Sequence, residues 1–164
     1  MDYHSLVHDV ISVSTIHRYR ISKSAQKVGL YYGQPVILEY ILNNESCTQK
    51  DIADRLHISP ASAATSLKRL EKAGLVTRST DKTDTRKNRI SLTENGISAL
   101  KQFRVVCEKT DSEMFRGFSQ EECQTLENYL KRLRENLEDG EISKEEIEKF
   151  MKKHSKENKE AKKC

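Results

Sequence analysis

Between Lys68 and Arg89, eight basic side chains (Lys68, Arg69, Lys72, Arg78, Lys82, Arg86, Lys87 and Arg89) stand against three acidic ones (Glu71, Asp81 and Asp84), a net +5. The full chain of 164 residues carries +4, so everything outside this window sums to −1. Cations gathered in so short a stretch suit the neutralisation of phosphate charge, the sequence-independent part of nucleic-acid affinity. Just upstream lies a second chemistry. Ser59, Ser62, Thr65 and Ser66 alternate with Ala61, Ala63 and Ala64. Small residues let a helix approach base edges closely, and hydroxyls bond to bases or phosphates. An ordinary solvated helix can have the same composition, so the chemistry depends on the elements that present it.

Those elements have clear start and stop signals. Thr48 is an N-cap, and Asp51 three residues later completes a capping-box-like arrangement before the apolar positions Ile52, Ala53 and Leu56. His57-Ile58 is a turn, and Ser59-Pro60 starts a second helix, with serine capping and proline in the first turn. Ala63, Leu67 and Leu70 fall on its inner face. Ala61, Ser62, Thr65, Ser66, Lys68, Arg69 and Lys72 lie wholly or partly on the other. Gly74 is a C-cap glycine. Leu75–Arg78 and Arg89–Leu92 alternate as two strands, joined by the polar stretch Ser79–Asn88. That loop carries Lys82, Arg86 and Lys87, a composition suited to probing a minor groove or backbone. Asp84, two residues before Arg86, reads as a clamp on the guanidinium's direction. Two helices, a turn and a charged hairpin make a winged helix-turn-helix, whose second helix is shaped for the major groove.

The stretch resembles the DNA-binding core of the MarR family of bacterial transcriptional regulators over roughly residues 30–100. The matching positions are Gly33-Gln34-Pro35, Thr48-Gln49, Ile52-Ala53, Leu56, Leu70-Glu71, Gly74-Leu75-Val76 and Arg78, then Asp84-x-Arg86, Leu92-Thr93 and Gly96. The resemblance implies that the helix from Pro60 is the recognition helix and that Arg86 enters the minor groove, oriented by Asp84. Ala63 and Ala64 depart from the family's larger or hydroxylated residues, which removes Ala64 from the direct base readers. The DNA-binding set is therefore Thr48, Gln49, Ser59, Pro60, Ala61, Ser62, Thr65, Ser66, Lys68, Arg69, Lys82, Asp84, Arg86 and Lys87.

The fold class expected is mostly α with a small β-hairpin wing. Residues 1–28 form an N-terminal dimerisation helix, 29–96 the reading core, 97–138 C-terminal dimerisation helices, and 139–164 a charged helical extension. Leu6, Val10, Val13 and Ile16, with Val7 and Ile11, mark a helix over 4–22. Ile97, Leu100, Phe103, Cys107, Thr110 and Met114 mark a long helix that Gly117 ends. Ser119 and Glu122 form a capping box ahead of Leu126, Tyr129, Leu130, Leu133 and Leu137. In the tail, Ser143 and Glu146 form another before Ile147, Phe150 and Met151, with disorder expected beyond about His154. A hydrophobic content of 35% beside 33% charged residues fits a helical protein that completes its core with a second copy. The family resemblance implies that the terminal helices interlock in a homodimer. Its two recognition helices would lie about 34 Å apart on a pseudo-palindromic site.

No apolar run approaches the ~20 residues of a membrane span, and Asp2, His4, His8 and Asp9 replace the basic start of a secretory signal. The expected compartment is the cytoplasm, with double-stranded DNA as partner, no membrane and no cofactor. Cys47, Cys107, Cys123 and Cys164 show neither CxxC nor zinc-ribbon spacing. Cys107 and Cys123 read as buried packing groups, while Cys47 precedes a helix N-terminus that can lower a thiol pKa. His4 and His8, one turn apart with Asp9 or His17 nearby, could share a metal but lack a full ligand set. Tyr31 and Tyr32 are candidate walls for a small-molecule effector, or core. Nothing assembles an enzyme: the chain has no phosphate-cradling glycine loop and no nucleophile–base arrangement. Two other readings stay open beside a ligand- or stress-released repressor. One is a low-specificity architectural DNA binder and the other a winged-helix module for protein contacts.

Overall fold

The computed structural model describes residues 2–31, 33–80, 88–138 and 146–147, and they form eight elements. These are α1 (Tyr3–Lys27), α2 (Gln34–Asn43), α3 (Gln49–Arg55), α4 (Pro60–Lys72), β1 (Val76–Thr80), β2 (Asn88–Leu92), α5 (Glu94–Met114) and α6 (Gln120–Leu137). The chain divides into two compact units, Met1–Met114 and Phe115–Cys164. Among the described residues no helix is long and apolar enough to cross a membrane.

Helix ends in the first unit follow from local sequence. Asp2 caps α1 by accepting from the His4 amide at 3.0 Å. At its other end Leu30 N donates to Ala25 O at 2.9 Å and Gly29 N to Gln26 O at 3.1 Å, with Gly29 at φ +75°. The same paired closure ends α4, where Leu75 N reaches Leu70 O and Gly74 N reaches Glu71 O, both at 2.9 Å. It also ends α3, through Ile58 N to Ala53 O at 3.0 Å and His57 N to Asp54 O at 3.2 Å. Each is a Schellman stop, which satisfies orphan carbonyls and needs a left-handed residue. At the end of α3 that residue is His57, at φ +46°, where a side chain pays a steric cost that glycine avoids.

α1 is longer than the 4–22 expected, and α2 is a helix that the sequence reading does not contain. It begins after Gly33 (φ +83°) with Pro35 in its first turn, and it buries Gln34, Pro35, Ile37, Leu38 and Ile41. The two strands pair antiparallel from Val76↔Leu92 to Thr80↔Asn88. A bridge from Cys47 to Ile90, with Ile90 N donating to Cys47 O at 2.8 Å, ties the segment between α2 and α3 to β2. Fully buried Leu30, Leu38, Ile52, Leu67, Leu70, Ile90 and Leu100 bring the link after α1, helices α2 to α5 and the wing root into one core.

α5 is fastened at both ends. Thr93 Oγ1 donates to Gly74 O at 2.6 Å and accepts from Gly96 N at 3.1 Å, while Thr93 N donates to Leu75 O at 3.1 Å. A Cβ at Gly96 would lie 2.0 Å from the Leu75 carbonyl oxygen, so only glycine allows this approach. Farther along, the Arg104 guanidinium grips Glu39 of α2 in a two-pronged pair at 2.8 and 2.5 Å. Arg20 pairs with Glu113, and His17 Nε2 lies 2.7 Å from Asp111 Oδ1, joining α1 to α5.

In the second unit α6 opens on the Ser119–Glu122 capping box, as its sequence implies. None of its residues is buried; Tyr129, Leu130, Leu133 and Leu137 are exposed. Phe115 and Phe118 stack edge-to-face, with centroids 5.9 Å apart. Of the expected tail helix, Glu146 and Ile147 are helical. Ser143, Phe150, Met151 and the boundary near His154 lie outside the described residues.

Gly96→Ala should destabilise the fold by about 1–3 kcal/mol, the usual range for forcing atoms into a packed site, as read by denaturant unfolding. The Glu39 carboxyl is held below its ordinary pKa, chiefly by the Arg104 hydrogen bonds. A depressed folded pKa means the pair stabilises at pH above the ordinary carboxylate value and is lost as pH falls through the depressed one. Thermal midpoints should therefore drop on acidification, and Arg104→Gln should flatten part of that drop. The effect should be small, because both partners are partly exposed.

Candidate nucleic-acid interface

α4 is placed by what it hides. Ala63, Leu67 and Leu70 of α4 are completely buried, so the opposite face must point outward. Ala61, Thr65, Lys68, Arg69 and Lys72 are exposed there, and Ser62, Ala64 and Ser66 sit half-buried at its margin. Ser59 caps the helix: its Oγ accepts from Ser62 N at 3.1 Å and lies 2.8 Å from Ser62 Oγ. Pro60 occupies the first helical position. Thr65 Oγ1 donates to Ala61 O at 2.9 Å, which leaves its oxygen free to accept from a partner in front of the helix.

α3 is fixed to this helix by its own cap. Thr48 Oγ1 accepts from Asp51 N at 3.2 Å, while Thr48 N and Oγ1 each donate to Asp51 Oδ2 at 2.8 Å. These contacts hold the Asp51 carboxyl below its usual pKa, with the Thr48 amide as the largest cause. Gln49 Nε2 then reaches Pro60 O at 3.5 Å, joining the starts of the two helices. Thr48, Gln49, Ser59, Pro60 and Ser62 are thus brought together. Lys82, Asp84, Arg86 and Lys87 at the wing tip lie outside the described residues, as does Tyr32.

Two clefts change the picture drawn from sequence. Tyr31 is exposed and not core, and it lines a cleft of about 510 Å³ with Gly29, Gln34, Arg69, Lys72 and Ala73. The candidate effector wall therefore shares its space with two cations of α4, a meeting of distant segments that spacing could not reveal. A second cleft, of about 500 Å³, is lined by Thr48, Gln49, Lys50 and Asp51 from α3 and by Asn88 and Arg89 from the wing root. Lys50, Asn88 and Arg89 are not among the contact residues expected from sequence. The signal for Lys50 was its place directly after Gln49, whereas Asn88 and Arg89 needed the strand register. Arg78 also faces this cleft, its Nε 3.2 Å from Glu71 Oε2 but not aligned for a hydrogen bond.

The cysteines require corrections. The helix that follows Cys47 does not activate it: the thiol is buried, and desolvation, then the Asp51 charge, push its pKa up. Burial outweighs the helix terminus here. Cys107 and Cys123 are half-buried, not fully buried, and the Cys107 thiol is likewise pushed up by burial. His17, a candidate neighbour for His4 and His8, is engaged with Asp111. Among the described residues no three His, Cys, Asp or Glu side chains converge as metal ligands.

Against known proteins, the sequence profile of the MarR family matches residues 30–87. The chain is similar to the uncharacterized HTH-type transcriptional regulator YwhA of Bacillus subtilis (strain 168), with 34% identity over 90 residues. The match takes in 55% of this chain and 65% of YwhA, so the chain spans just under two thirds of that relative's length. In structure it is similar to an S. aureus MepR mutant bound to an oligodeoxyribonucleotide, with TM-score 0.65 and 23% identity, covering 84% of this chain and 99% of the other. It is also similar to the YusO protein of Bacillus subtilis, with TM-score 0.74 and 18% identity, covering 81% and 94%. At these identities the structural likeness establishes the winged-helix fold.

Removing the hydroxyl that caps α4 has a defined cost. Ser59→Ala should lower stability by about 1 kcal/mol, measured by denaturant unfolding, and a change within error would mean that Ser62 or solvent replaces the cap.

Proposed function

Because residues 30–87 make this chain a member of the MarR family of winged helix-turn-helix proteins, we propose that it is a sequence-specific, homodimeric transcriptional repressor. It occupies a pseudo-palindromic operator and is released by a small ligand or a stress signal. The observation that carries the reading is the rotational setting of α4. Its apolar residues are locked into the core, so its hydroxyls, small residues and cations stand outward together. A helix presented this way can enter a major groove, with Thr65 and Ser62 toward base edges and Lys68 and Arg69 toward phosphates.

Membership of the MarR family and the similarity to YwhA, an HTH-type transcriptional regulator, support DNA as the partner. So does the oligodeoxyribonucleotide bound to the MepR mutant that this fold resembles. In this reading Lys82, Arg86 and Lys87 of the wing follow the minor groove, and Asp84 orients Arg86. The basis for a homodimer is the apolar surface that a single copy leaves in water. On α1, Leu6, Val7, Val10, Ile11, Val13 and Ile16 are all exposed, as is the leucine face of α6. Residues 1–28 and 97–138 then serve dimerisation, 29–96 reads DNA, and 139–164 is an appended charged segment. The protein works in the cytoplasm. An effector in the Tyr31 cleft would act by binding the DNA-free and DNA-bound forms unequally.

The test is selection of bound duplexes from a random pool at two salt concentrations. One inverted-repeat motif is expected, bound about a thousandfold or more above random sequence. Arg86→Ala should weaken binding while leaving the protein folded, and Thr65→Ala should alter the motif. Recovery of no motif, with affinity collapsing as salt rises, would instead favour an architectural binder. No salt-dependent association at all would favour a protein-contact module.

A further inference from the structure

If α4 lies in the major groove and the wing follows the adjacent minor groove, the sugar–phosphate ridge dividing the grooves must pass between them. The cleft lined by Thr48, Gln49, Lys50, Asn88 and Arg89 lies in that interval. One side adjoins the start of α4 through the Gln49–Pro60 contact, and the other is the root of the wing, where β2 begins at Asn88. We propose that this cleft is a phosphate seat that takes a single backbone phosphate of the ridge. Lys50 and Asn88 touch the phosphate, and Arg89 is a positioning residue that also supplies charge. The proposal rests on the DNA-binding reading and adds to it a contact that neither the recognition helix nor the wing tip makes.

The side chains are arranged for this. Arg89 Nη1 donates to Ser46 O at 2.9 Å, so the guanidinium is tethered to the segment before α3 and not left to swing in solvent. Lys50 is exposed, and among the described residues no ion pair engages it. Asn88 is exposed at the first position of β2 and can offer an amide N–H to a phosphate oxygen. Among the described residues Asp51 is the one acid lining the cleft, and its carboxylate is turned to the Thr48 amide and hydroxyl. Arg78 faces Glu71. Lys50 brings a positive charge to the cleft, while the Asp51 carboxylate is already engaged by Thr48. The ligand is held by side chains, since the hydroxyl of Thr48 already takes a first-turn amide of α3.

The experiment compares the wild-type protein with Lys50→Ala on the duplex the wild type binds best. Loss of one phosphate contact should weaken binding roughly five- to tenfold near 0.15 M salt. It should also reduce the slope of log affinity against log salt by about one, with the selected motif unchanged. Single methylphosphonate linkages placed along the duplex locate the contact. One of them, between the major-groove and minor-groove contacts, should weaken the wild type and weaken Lys50→Ala much less. Lys50→Arg should restore the slope, and Asn88→Ala should lose less than the wild type at the same linkage. Unchanged affinity and slope in Lys50→Ala, or a shift in its preferred bases, would overturn the phosphate seat. Failure of the wild type to bind any duplex would overturn the DNA-binding reading itself, a separate and recognisable outcome.

Discussion

Burial of Ala63, Leu67 and Leu70 is the constraint from which the outward face of α4 follows. A helix of thirteen residues has no preferred rotation of its own, and most of its stability comes from packing one face. Each buried leucine contributes on the order of 2 kcal/mol relative to exposure, so turning α4 by even one residue would forfeit several such contributions. The outward set, from Ala61 to Lys72, is therefore fixed by residues that never touch a partner. Ile52 of α3, Ile90 of β2 and Leu100 of α5 belong to the same core, so the other elements of the reading head are set by that packing as well.

Rigidity then passes along the backbone through Thr93. Its hydroxyl and amide bind Gly74 and Leu75, just beyond the cap of α4, while Gly96 lets the start of α5 press against the Leu75 carbonyl. α5 carries that fixed orientation away from the reading head. Its outer half meets α2 and α1 through exposed ion pairs, which are individually weak. The joint beside α4 is tight and sterically exact, whereas the fastenings farther along α5 can be rearranged at little cost.

Features governed by near neighbours were legible in the sequence. The Thr48–Asp51 and Ser119–Glu122 boxes, the Ser59-Pro60 start and the Gly74 stop each involve residues within a turn of one another. α2 was not legible because its run from Val36 to Leu42 is apolar almost throughout, which blurs the helical stripe, although Gly33 and Pro35 marked its beginning. The Lys50–Arg89 cleft and the Tyr31–Arg69 cleft join segments some forty residues apart, and no local rule places them together. Cys47 shows the same limit. Its sequence neighbours suggested an activated thiol, but its pairing with Ile90 buries it, and desolvation wins.

That buried thiol has a practical consequence. Cys47 is one half of the bridge that anchors the wing root and its thiol is buried, so an alkylating reagent reaches it when Cys47 and Ile90 part. In a chain whose other cysteines are replaced, the labelling rate divided by that of a free thiol gives the fraction of time the root is open. Such local opening has its own free energy, distinct from global unfolding. Cys47 thus serves as an internal gauge of wing-root breathing, readable by mass spectrometry with or without a duplex present.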